Sequence, residues 1–208
     1  MTRHILLLCL LGNPFELNLG GHQRTVLEII EHFKDMPRLE ITVITTTKSS
    51  LKQLTPNHLY PNIVLYEIPI KKEWFENQDL LYDNRNFLYE TVKKIYENIK
   101  HPITLVHSTY WISGLLASQL CIEYHLTQIH SVISTSCERK RNGFSPVSSH
   151  QYESEQFFLP KVDRIISITE SEYELLIEKY HIEPHKIIVV GRTVADCFLR
   201  PAHLPSGN

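Results

Sequence analysis

Short apolar runs alternate with segments of helical period along almost the whole chain, and this alternation restricts the fold more than any other feature. The apolar runs are rich in β-branched and aliphatic residues, as expected of parallel strands covered on both faces. Helical segments between such runs predict βα units. The sequence therefore predicts the α/β class, with a Rossmann-like, doubly wound parallel sheet of about seven strands. The predicted strands are 4–11, 40–46, 62–68, 103–107, 128–133, 163–168 and 186–190, and the predicted helices are 22–35, 79–100, 112–125, 149–159 and 170–180.

One domain accounts for most of the chain. The 208 residues, of which 42% are hydrophobic, suit one packed domain with its own core. Beyond Val190 the sequence turns irregular and carries prolines, which is typical of a linker rather than of another βα unit. We therefore expect a domain over residues 1–190 and an exit segment over 191–208. The stretches 47–61 and 69–78 are predicted to be loops.

Charge and cysteine content narrow the setting in which the protein acts. Lysine and arginine number 21 against 23 aspartates and glutamates, so the formal charge of -2 gives no general attraction to nucleic acid. The four cysteines are isolated, with no Cys-x-x-Cys pair, as in a reduced cytosolic protein. The apolar start lacks a small-residue cleavage site, and no apolar run reaches the roughly 20 residues of a membrane span. These features predict a soluble, cytoplasmic protein.

Two segments that are far apart in the sequence each follow a predicted strand and open a predicted helix. The first spans residues 18–26 and the second spans residues 106–114. In an open α/β sheet, loops, glycines and helix N-termini converge on a ligand at the carboxyl ends of the strands. We therefore expect both segments to lie at the same edge of the sheet and to form one site.

The first junction contains Gly20 and Gly21 directly before the predicted helix. A double glycine lets backbone amides come close to a ligand, and the positive end of a helix dipole suits a phosphate. Arg24, one turn into the helix, would add a fixed cation for an anionic group. A tight turn without a ligand and a solvated surface charge are the alternatives. They stay open because the complete fingerprints of P-loop and dinucleotide sites are absent.

The second junction contains His107, Tyr110 and Trp111, and His130 lies in the next predicted strand. Polar and aromatic side chains at the carboxyl edge of a sheet can hold a sugar by stacking and hydrogen bonding. The alternatives are buried histidines satisfied by the backbone and a tryptophan that only packs in the core. The four residues are candidates for a sugar or acceptor site, with His107 as the candidate catalytic residue.

Other chemistry has little support in the sequence. His181 and His185 have the separation of a metal-binding pair, but Pro184 lies between them and no third ligand is evident, so no metal is expected. The Gly-x-Ser-x-Gly elbow of esterases is absent. The basic run 139–141 lies in a predicted loop, where it is either solvated surface or a guide for an anionic substrate.

Five segments carry a family resemblance over nearly the whole chain. They are Gly20–Glu28, His107–Gly114, Ile129–Ser131, Glu153–Ile168 and Tyr180–Val190. In this order and spacing they resemble segments of the N-terminal domain of retaining GT-B glycosyltransferases of family 4. That large group includes sucrose-phosphate synthase-like and mycothiol-pathway enzymes. The second segment, for example, is similar to the family's His-x-x-Tyr-Trp-x-x-Gly pattern.

The resemblance implies a two-domain enzyme in which this half receives the acceptor and a C-terminal half binds the sugar nucleotide. The sugar nucleotide would be a substrate, with no cofactor and no obligatory metal. We expect the second half to be supplied in cis, by a longer chain, or in trans, by a separate polypeptide, and assembly into a homo-oligomer stays open. The resemblance implies acceptor or phosphate contacts at Gly20, Gly21, Arg24, Tyr110, Trp111 and His130.

Two positions depart from the family pattern. Ile133 stands where the family has a catalytic-site histidine, and an aliphatic side chain neither donates nor accepts a hydrogen bond. Residues 192–195 replace the family's closing Asn-Gly-Val-Asp turn and lack its Gly and Asp. These departures leave open a noncatalytic binding or regulatory subunit. A sugar-nucleotide epimerase of related fold is a further alternative.

Overall fold

The computed structural model describes residues 2–15, 21–48 and 54–191, which form one sheet flanked by helices. The strands in these ranges are β1 (Arg3–Cys9), β2 (Leu39–Thr47), β3 (Asn57–Tyr60), β4 (Ile63–Pro69), β5 (Leu105–Thr109), β6 (Gln128–Ser131), β7 (Arg164–Ser167) and β8 (Ile187–Val189). The helices there are α1 (Gly21–Phe33), α2 (Lys72–Glu76), α3 (Gln78–Asp83), α4 (Arg85–Glu97), α5 (Trp111–Tyr124), α6 (Ser136–Arg141), α7 (Gln151–Phe158) and α8 (Glu170–Tyr180). Single 3-10 turns, Leu159–Lys161 and Pro184–Lys186, precede β7 and β8.

The strand order β3-β4-β2-β1-β5-β6-β7-β8 confirms the predicted doubly wound sheet. All described strand pairs are parallel except β3 with β4. β1 lies between β2 and β5, and its Leu7 is opposite both Val43 and His107. After β1 the chain adds β2, β3 and β4 on one side of β1. It then crosses to the other side of β1 and adds β5, β6, β7 and β8 in order. Because the order reverses between β1 and β5, their carboxyl ends border the crevice in which open α/β sheets bind ligands.

The structure adds three short elements to the prediction. The stretch 47–61, predicted to be a loop, contains β3, a four-residue edge strand with an irregular step between His58 and Tyr60. The stretch 69–78 contains α2, and the predicted loop after β6 contains α6 with the basic run 139–141. Elements of four to six residues are too short for a hydrophobic period to be detected, which is why the sequence does not predict them.

The predicted helix 79–100 is two helices, α3 and α4, which meet at Asn84. The Asn84 side-chain amide donates a hydrogen bond to the Leu80 carbonyl at 2.8 Å. Asparagine favours helix ends because its side chain competes for backbone hydrogen bonds. Helix α3 contacts the start of α5 through Gln78, whose Oε1 accepts a hydrogen bond from the Trp111 indole N–H at 2.9 Å. The interruption therefore brings a separate short helix to the border of the crevice.

Strand β1 is buried on both faces, which explains its continuous apolar run. Leu6, Leu8 and Leu10 belong to the larger core, which includes side chains of α3, α4, α5, α7 and α8. Leu7 and Cys9 point the other way, into a smaller core that α1 covers. The alternation of successive side chains between the two faces of a strand produces this division.

Helix α1 packs on the smaller core with the apolar stripe that the sequence predicts. Val26 and Ile30 are 0% exposed, and Ile29 and Phe33 pack against them at the margin. His22 continues the spacing of four residues towards the N-terminus of the helix and is also buried. The stripe therefore holds His22 at the carboxyl edge of the sheet.

Within the described ranges the longest helix, α5, has 14 residues. None of the helices in those ranges is long and apolar enough to cross a membrane.

The contact between α5 and α7 predicts a large effect of Gly114→Ala on stability. A Cβ at Gly114 would lie 2.5 Å from Phe158 Cζ and 2.8 Å from His130 Cε1, too close for either ring to remain in place. We expect the substitution to lower the free energy of unfolding by about 1–3 kcal/mol, the usual cost of overpacking. The measurement is urea denaturation followed by circular dichroism.

The matched control is Gly21→Ala, because a Cβ at Gly21 meets no heavy atom within 4 Å. Its free energy of unfolding should change by about 0.5 kcal/mol or less. Equal unfolding midpoints for the two variants would contradict the packing described for Gly114.

Candidate functional site

Polar side chains of β2 fix the first residues after β1. Thr46 Oγ1 accepts a hydrogen bond from the Gly12 amide at 3.1 Å and donates to the Leu10 carbonyl at 3.0 Å. Thr45 Oγ1 lies 2.8 Å from the Gly12 carbonyl. Gly12 has a φ of 102°, a conformation that favours glycine. These contacts satisfy backbone groups that have left the sheet, and they set the direction in which the chain enters the first junction.

Tyr110 links β5 to α5 in a backbone conformation that is rare for a residue with a side chain. Its φ of 69° and ψ of 156° lie in a region that is essentially restricted to glycine. Such a conformation costs about 1–3 kcal/mol and persists only where the surroundings enforce it. It places the Tyr110 ring against His22, with the ring centroids 5.5 Å apart. Strain of this kind is concentrated at ligand sites, so the backbone of the second junction, as well as its side chains, indicates a ligand site.

His22 connects the two junctions. Its Nε2 lies 3.0 Å from Thr109 Oγ1, at the end of β5. Its Nδ1 is buried and has no hydrogen-bond partner within the described part of the chain. His22 is the second residue of α1, so its backbone amide is one of those that a helix leaves unpaired at its N-terminus. Within the described residues, a buried ring nitrogen without a partner therefore lies beside the N-terminal amides of α1.

His107 and His130 lie on opposite faces of the sheet. In the pairing of β5 with β6, Ser108 is opposite His130 and His107 is opposite Ile129. His130 Nδ1 lies 2.9 Å from Ser108 Oγ, on the face that α5 covers. His107 Nε2 lies 2.8 Å from Ser131 Oγ, on the face that α1 covers. The structure therefore places His107 and His130 on different faces of the sheet rather than side by side. The catalytic role of His107 and the sugar contact of His130 both stay predictions.

All three histidines near the crevice are electrically neutral at physiological pH. Burial lowers the pKa of His22 to about 4, although its hydrogen bond with Thr109 opposes this shift. Removal of water around the ring lowers the pKa of His107 to about 4. Burial, reinforced by the neighbouring His107 and His22, lowers the pKa of His130 to about 3. Neutral imidazoles offer one donor and one acceptor each, so they bind through hydrogen bonds rather than through charge.

A small cavity of about 10 Å³, room for about one water molecule, lies between the carboxyl end of β6, the start of α5 and α7. Trp111 contributes to its wall but is 1% exposed, and its indole N–H donates to Gln78 Oε1. The packing alternative for Trp111 is therefore well supported, because the indole has no donor left for a ligand. The cavity is lined by Tyr110, Trp111, His130, Val132, Ile133, Ser134, Thr135, Glu155, Phe158 and Leu159.

The remaining predicted site residues belong to the first junction. Gly20 lies outside the described residues. Gly21 is the exposed first residue of α1, and the space in front of its α-carbon is open. Arg24 is exposed on the first turn of the same helix. The contacts of Gly21 and Arg24 with a phosphate or an acceptor stay predictions.

Sequence reasoning missed two members of the site. His22 follows the glycines directly, and its position four residues before Val26 could have assigned it to the buried stripe of α1. Glu155 is 3% exposed and borders the cavity, yet it lies among the acidic residues of a surface helix. Nothing in its spacing distinguishes it from the exposed Glu153, so the sequence carried no signal for it.

The lowered pKa values of His22, His107 and His130 predict that these rings stay neutral down to about pH 5. Between pH 6.5 and about 4 the unfolded chain takes up protons that the folded chain does not, so these histidines reduce stability as the pH falls through that window. Long-range ¹H–¹⁵N NMR of the imidazoles is the measurement. The same rings in urea should titrate near 6.5, and a folded-state midpoint near that value would contradict the burial described.

Comparison with known proteins agrees with this architecture. Residues 19–195 match the family model for Glycosyltransferase Family 4. The D-inositol 3-phosphate glycosyltransferase of Thermobispora bispora is 25% identical over 197 residues, which is 92% of this chain and 45% of that protein. The corresponding enzyme of Kineococcus radiotolerans is 28% identical over 101 residues, which is 47% of this chain and 23% of that protein.

Solved structures share the fold. Sucrose-phosphate synthase from Thermosynechococcus elongatus superposes with a TM-score of 0.74 at 16% identity, covering 92% of this chain and 48% of that chain. UGT89C1 of Arabidopsis thaliana, complexed with UDP-L-rhamnose, superposes with a TM-score of 0.60 at 11% identity, covering 92% and 49%. The chain thus spans about half the length of these two proteins. It belongs to glycosyltransferase family 4 and corresponds to the N-terminal domain of a GT-B fold, as the sequence predicts.

Proposed function

We propose that this chain is the acceptor-side half of an enzyme that transfers a sugar from a sugar nucleotide with retention of configuration. A second, donor-binding half completes the enzyme, in cis or in trans. The reaction breaks the bond between the sugar C1 and the diphosphate and forms a bond from C1 to the oxygen of an acceptor hydroxyl, whose proton passes to the departing diphosphate. Family membership and the fold support this proposal. The described cysteines, Cys9, Cys121 and Cys137, are free thiols, which supports the expected cytoplasmic location.

The convergence of the two junctions at the reversal of strand order is the observation that carries the proposal. Tyr110, His22 and Thr109 meet there, at the N-terminus of α1. They come from segments more than 80 residues apart, since His22 and Thr109 are separated by 87 positions. Within the described residues, a strained tyrosine, a buried imidazole nitrogen without a partner and the N-terminus of α1 lie together, so hydrogen-bonding groups are left unsatisfied there. Such groups are costly to leave unpaired, which favours a polar ligand.

Each group of the site has a role that suits its chemistry. The amides of Gly20 and Gly21 and the dipole of α1 would stabilise the departing diphosphate, which gains negative charge as C1 separates from it. Arg24 would bind an anionic group of the acceptor. Tyr110 and His130 would hold acceptor hydroxyls by neutral hydrogen bonds. His107 lies on the face that α1 covers, with its Nε2 2.8 Å from Ser131 Oγ, and stays the candidate catalytic residue.

The acceptor that we propose is a phosphorylated cyclic polyol. Two relatives act, by name, on D-inositol 3-phosphate. The site of this chain offers the groups that such a molecule requires, since Arg24 suits the phosphate and neutral hydrogen-bonding rings suit the hydroxyls.

Replacement of Arg24 by alanine tests the acceptor assignment. We expect the dissociation constant for inositol 3-phosphate, measured by calorimetry on the 208-residue chain, to rise about tenfold or more with loss of one charged hydrogen bond. Arg164→Ala is the matched control, because Arg164 is an exposed arginine at the first residue of β7 and thus at the opposite edge of the sheet. Equal affinity in wild type and the Arg24 variant would remove Arg24 from the acceptor site.

Ile133 favours a second candidate function, a noncatalytic subunit. The cavity wall presents an aliphatic side chain there, with nothing to donate or accept a proton. A noncatalytic subunit would bind the acceptor and, with a donor-binding half present, would still transfer no sugar.

Turnover of UDP-glucose separates the two candidates. A transferase, assayed with its donor-binding half, should give a product with the donor's anomeric configuration by NMR, while the 208-residue chain alone gives none. Binding of the acceptor without transfer would favour the subunit. In that case Ile133→His, which restores a hydrogen-bonding ring to the cavity wall, is the variant expected to gain transfer.

A further inference from the structure

Glu155 of α7 is a buried carboxyl group that has no cationic partner among the described ion pairs. It is 3% exposed. Its Oε2 accepts hydrogen bonds from the Ser136 amide at 3.0 Å and from the Tyr180 hydroxyl at 2.6 Å, and its Oε1 accepts one from Gln151 Nε2 at 2.7 Å. Three neutral donors from three elements therefore surround the group, and a buried carboxylate without a cation is rare enough to require an explanation.

The same hydrogen bonds hold one wall of the candidate site. Gln151 Nε2 also donates to the Ser134 carbonyl at 3.2 Å, and Tyr180 Oη accepts from the Cys137 amide at 3.3 Å. Ser134 and Thr135 line the cavity beside Tyr110. The carboxylate thus ties the segment 134–137 to α7 and α8.

Protonation of Glu155 would change this arrangement, because a protonated carboxyl must donate one hydrogen bond. The Ser136 amide can only donate, and the Tyr180 hydroxyl already donates its one proton to Glu155 while its oxygen accepts from the Cys137 amide. The remaining acceptor is Gln151 Oε1, which is buried and without a partner within the described part of the chain. If the Gln151 amide turns over, Oε1 accepts from Glu155 but then faces the Ser134 carbonyl, another acceptor, and the bond to Ser134 is lost.

We propose that Glu155 and Gln151 are positioning residues for the 134–136 wall of the site, and that proton uptake by Glu155 turns over the Gln151 amide and releases Ser134. The proposal rests on the proposed function only in assigning this wall to the acceptor site. The exchange of hydrogen bonds does not depend on what the site binds. The proton comes from solvent, and no other covalent bond changes.

The groups that face Glu155 place this change in the physiological range. Burial raises its pKa to about 7, the donors Tyr180, Ser136 and Gln151 oppose that rise, and Glu172 of α8 adds to it. Burial and Glu155 raise the pKa of Tyr180, so the phenol stays protonated as a donor. Burial raises the pKa of Tyr110, which precedes α5, and the charge of Glu155 adds to that rise.

The change in protonation also affects stability with a defined sign. Between the ordinary carboxyl pKa of 4.5 and about 7, the folded chain holds a proton that the unfolded chain has lost. Glu155 therefore favours the folded state below this window, and the contribution is lost as the pH rises through it.

NMR titration of the wild-type 208-residue chain from pH 5 to 9 tests the proposal. The Glu155 carboxyl carbon, the Gln151 side-chain amide and the Ser136 backbone amide should shift together, with one midpoint near 7. In Glu155→Gln the new amide must donate to Gln151 Oε1. The chemical shifts of Gln151 and Ser136 in this variant should therefore stay, at every pH, at the values that the wild type shows at pH 5. Glu153→Gln, the same change at an exposed position of α7, should leave the wild-type titration intact.

A midpoint for Glu155 near 4.5, or a Gln151 side-chain amide that does not move with it, would overturn the proposal. Should Glu155→Gln not fold, Tyr180→Phe provides a second test, because loss of that donor should move the midpoint above the wild-type value. Calorimetry with inositol 3-phosphate separates this inference from the proposed function. A midpoint shared by Glu155, Gln151 and Ser136 without acceptor binding would establish the positioning residues and refute the proposed acceptor. Acceptor binding without a shared midpoint would support the proposed acceptor and refute the positioning residues.

Discussion

The burial of β1 on both faces is the constraint on which the rest of the molecule depends. A strand in this position must be apolar throughout, and it has a parallel neighbour on each side. With β2 on one side and β5 on the other, the first βα junction and the later one are forced to the same edge of the sheet. The candidate site is a consequence of this topology, since neither junction contains a complete binding motif of its own.

Polar side chains then convert a strand end into a defined site. At the end of β1, side chains bond the backbone groups. Thr45 and Thr46 donate to the Cys9 and Leu10 carbonyls, and Ser113 Oγ accepts from the Leu10 amide at 2.9 Å. These hydroxyls are buried and lie on the neighbouring strand and helix. They satisfy the backbone without a further strand, so the edge stays open for a ligand while its conformation is fixed.

The predictable part of this structure is the part that local pattern controls. Strand runs covered on both faces and the stripe of α1 follow from hydrophobic periodicity, and the doubly wound order follows from their alternation. The faces of His107 and His130 depend on the register between β5 and β6, which the sequence of neither strand specifies. The φ of Tyr110 and the burial of Glu155 arise from tertiary contacts with elements distant in sequence, so no local pattern could have revealed them.

The neutrality of the site limits how a ligand's charge can be met. His22, His107 and His130 carry no charge at physiological pH, and Glu155 has a pKa of about 7. A leaving diphosphate carries several negative charges, which neutral rings cannot balance. The N-terminus of α1 contributes only about half a positive charge. In the function that we propose, further positive charge would come from an exposed cation such as Arg24 or from the donor-binding half. In the function that we propose, hydroxyl recognition can therefore be neutral, while diphosphate departure requires cations.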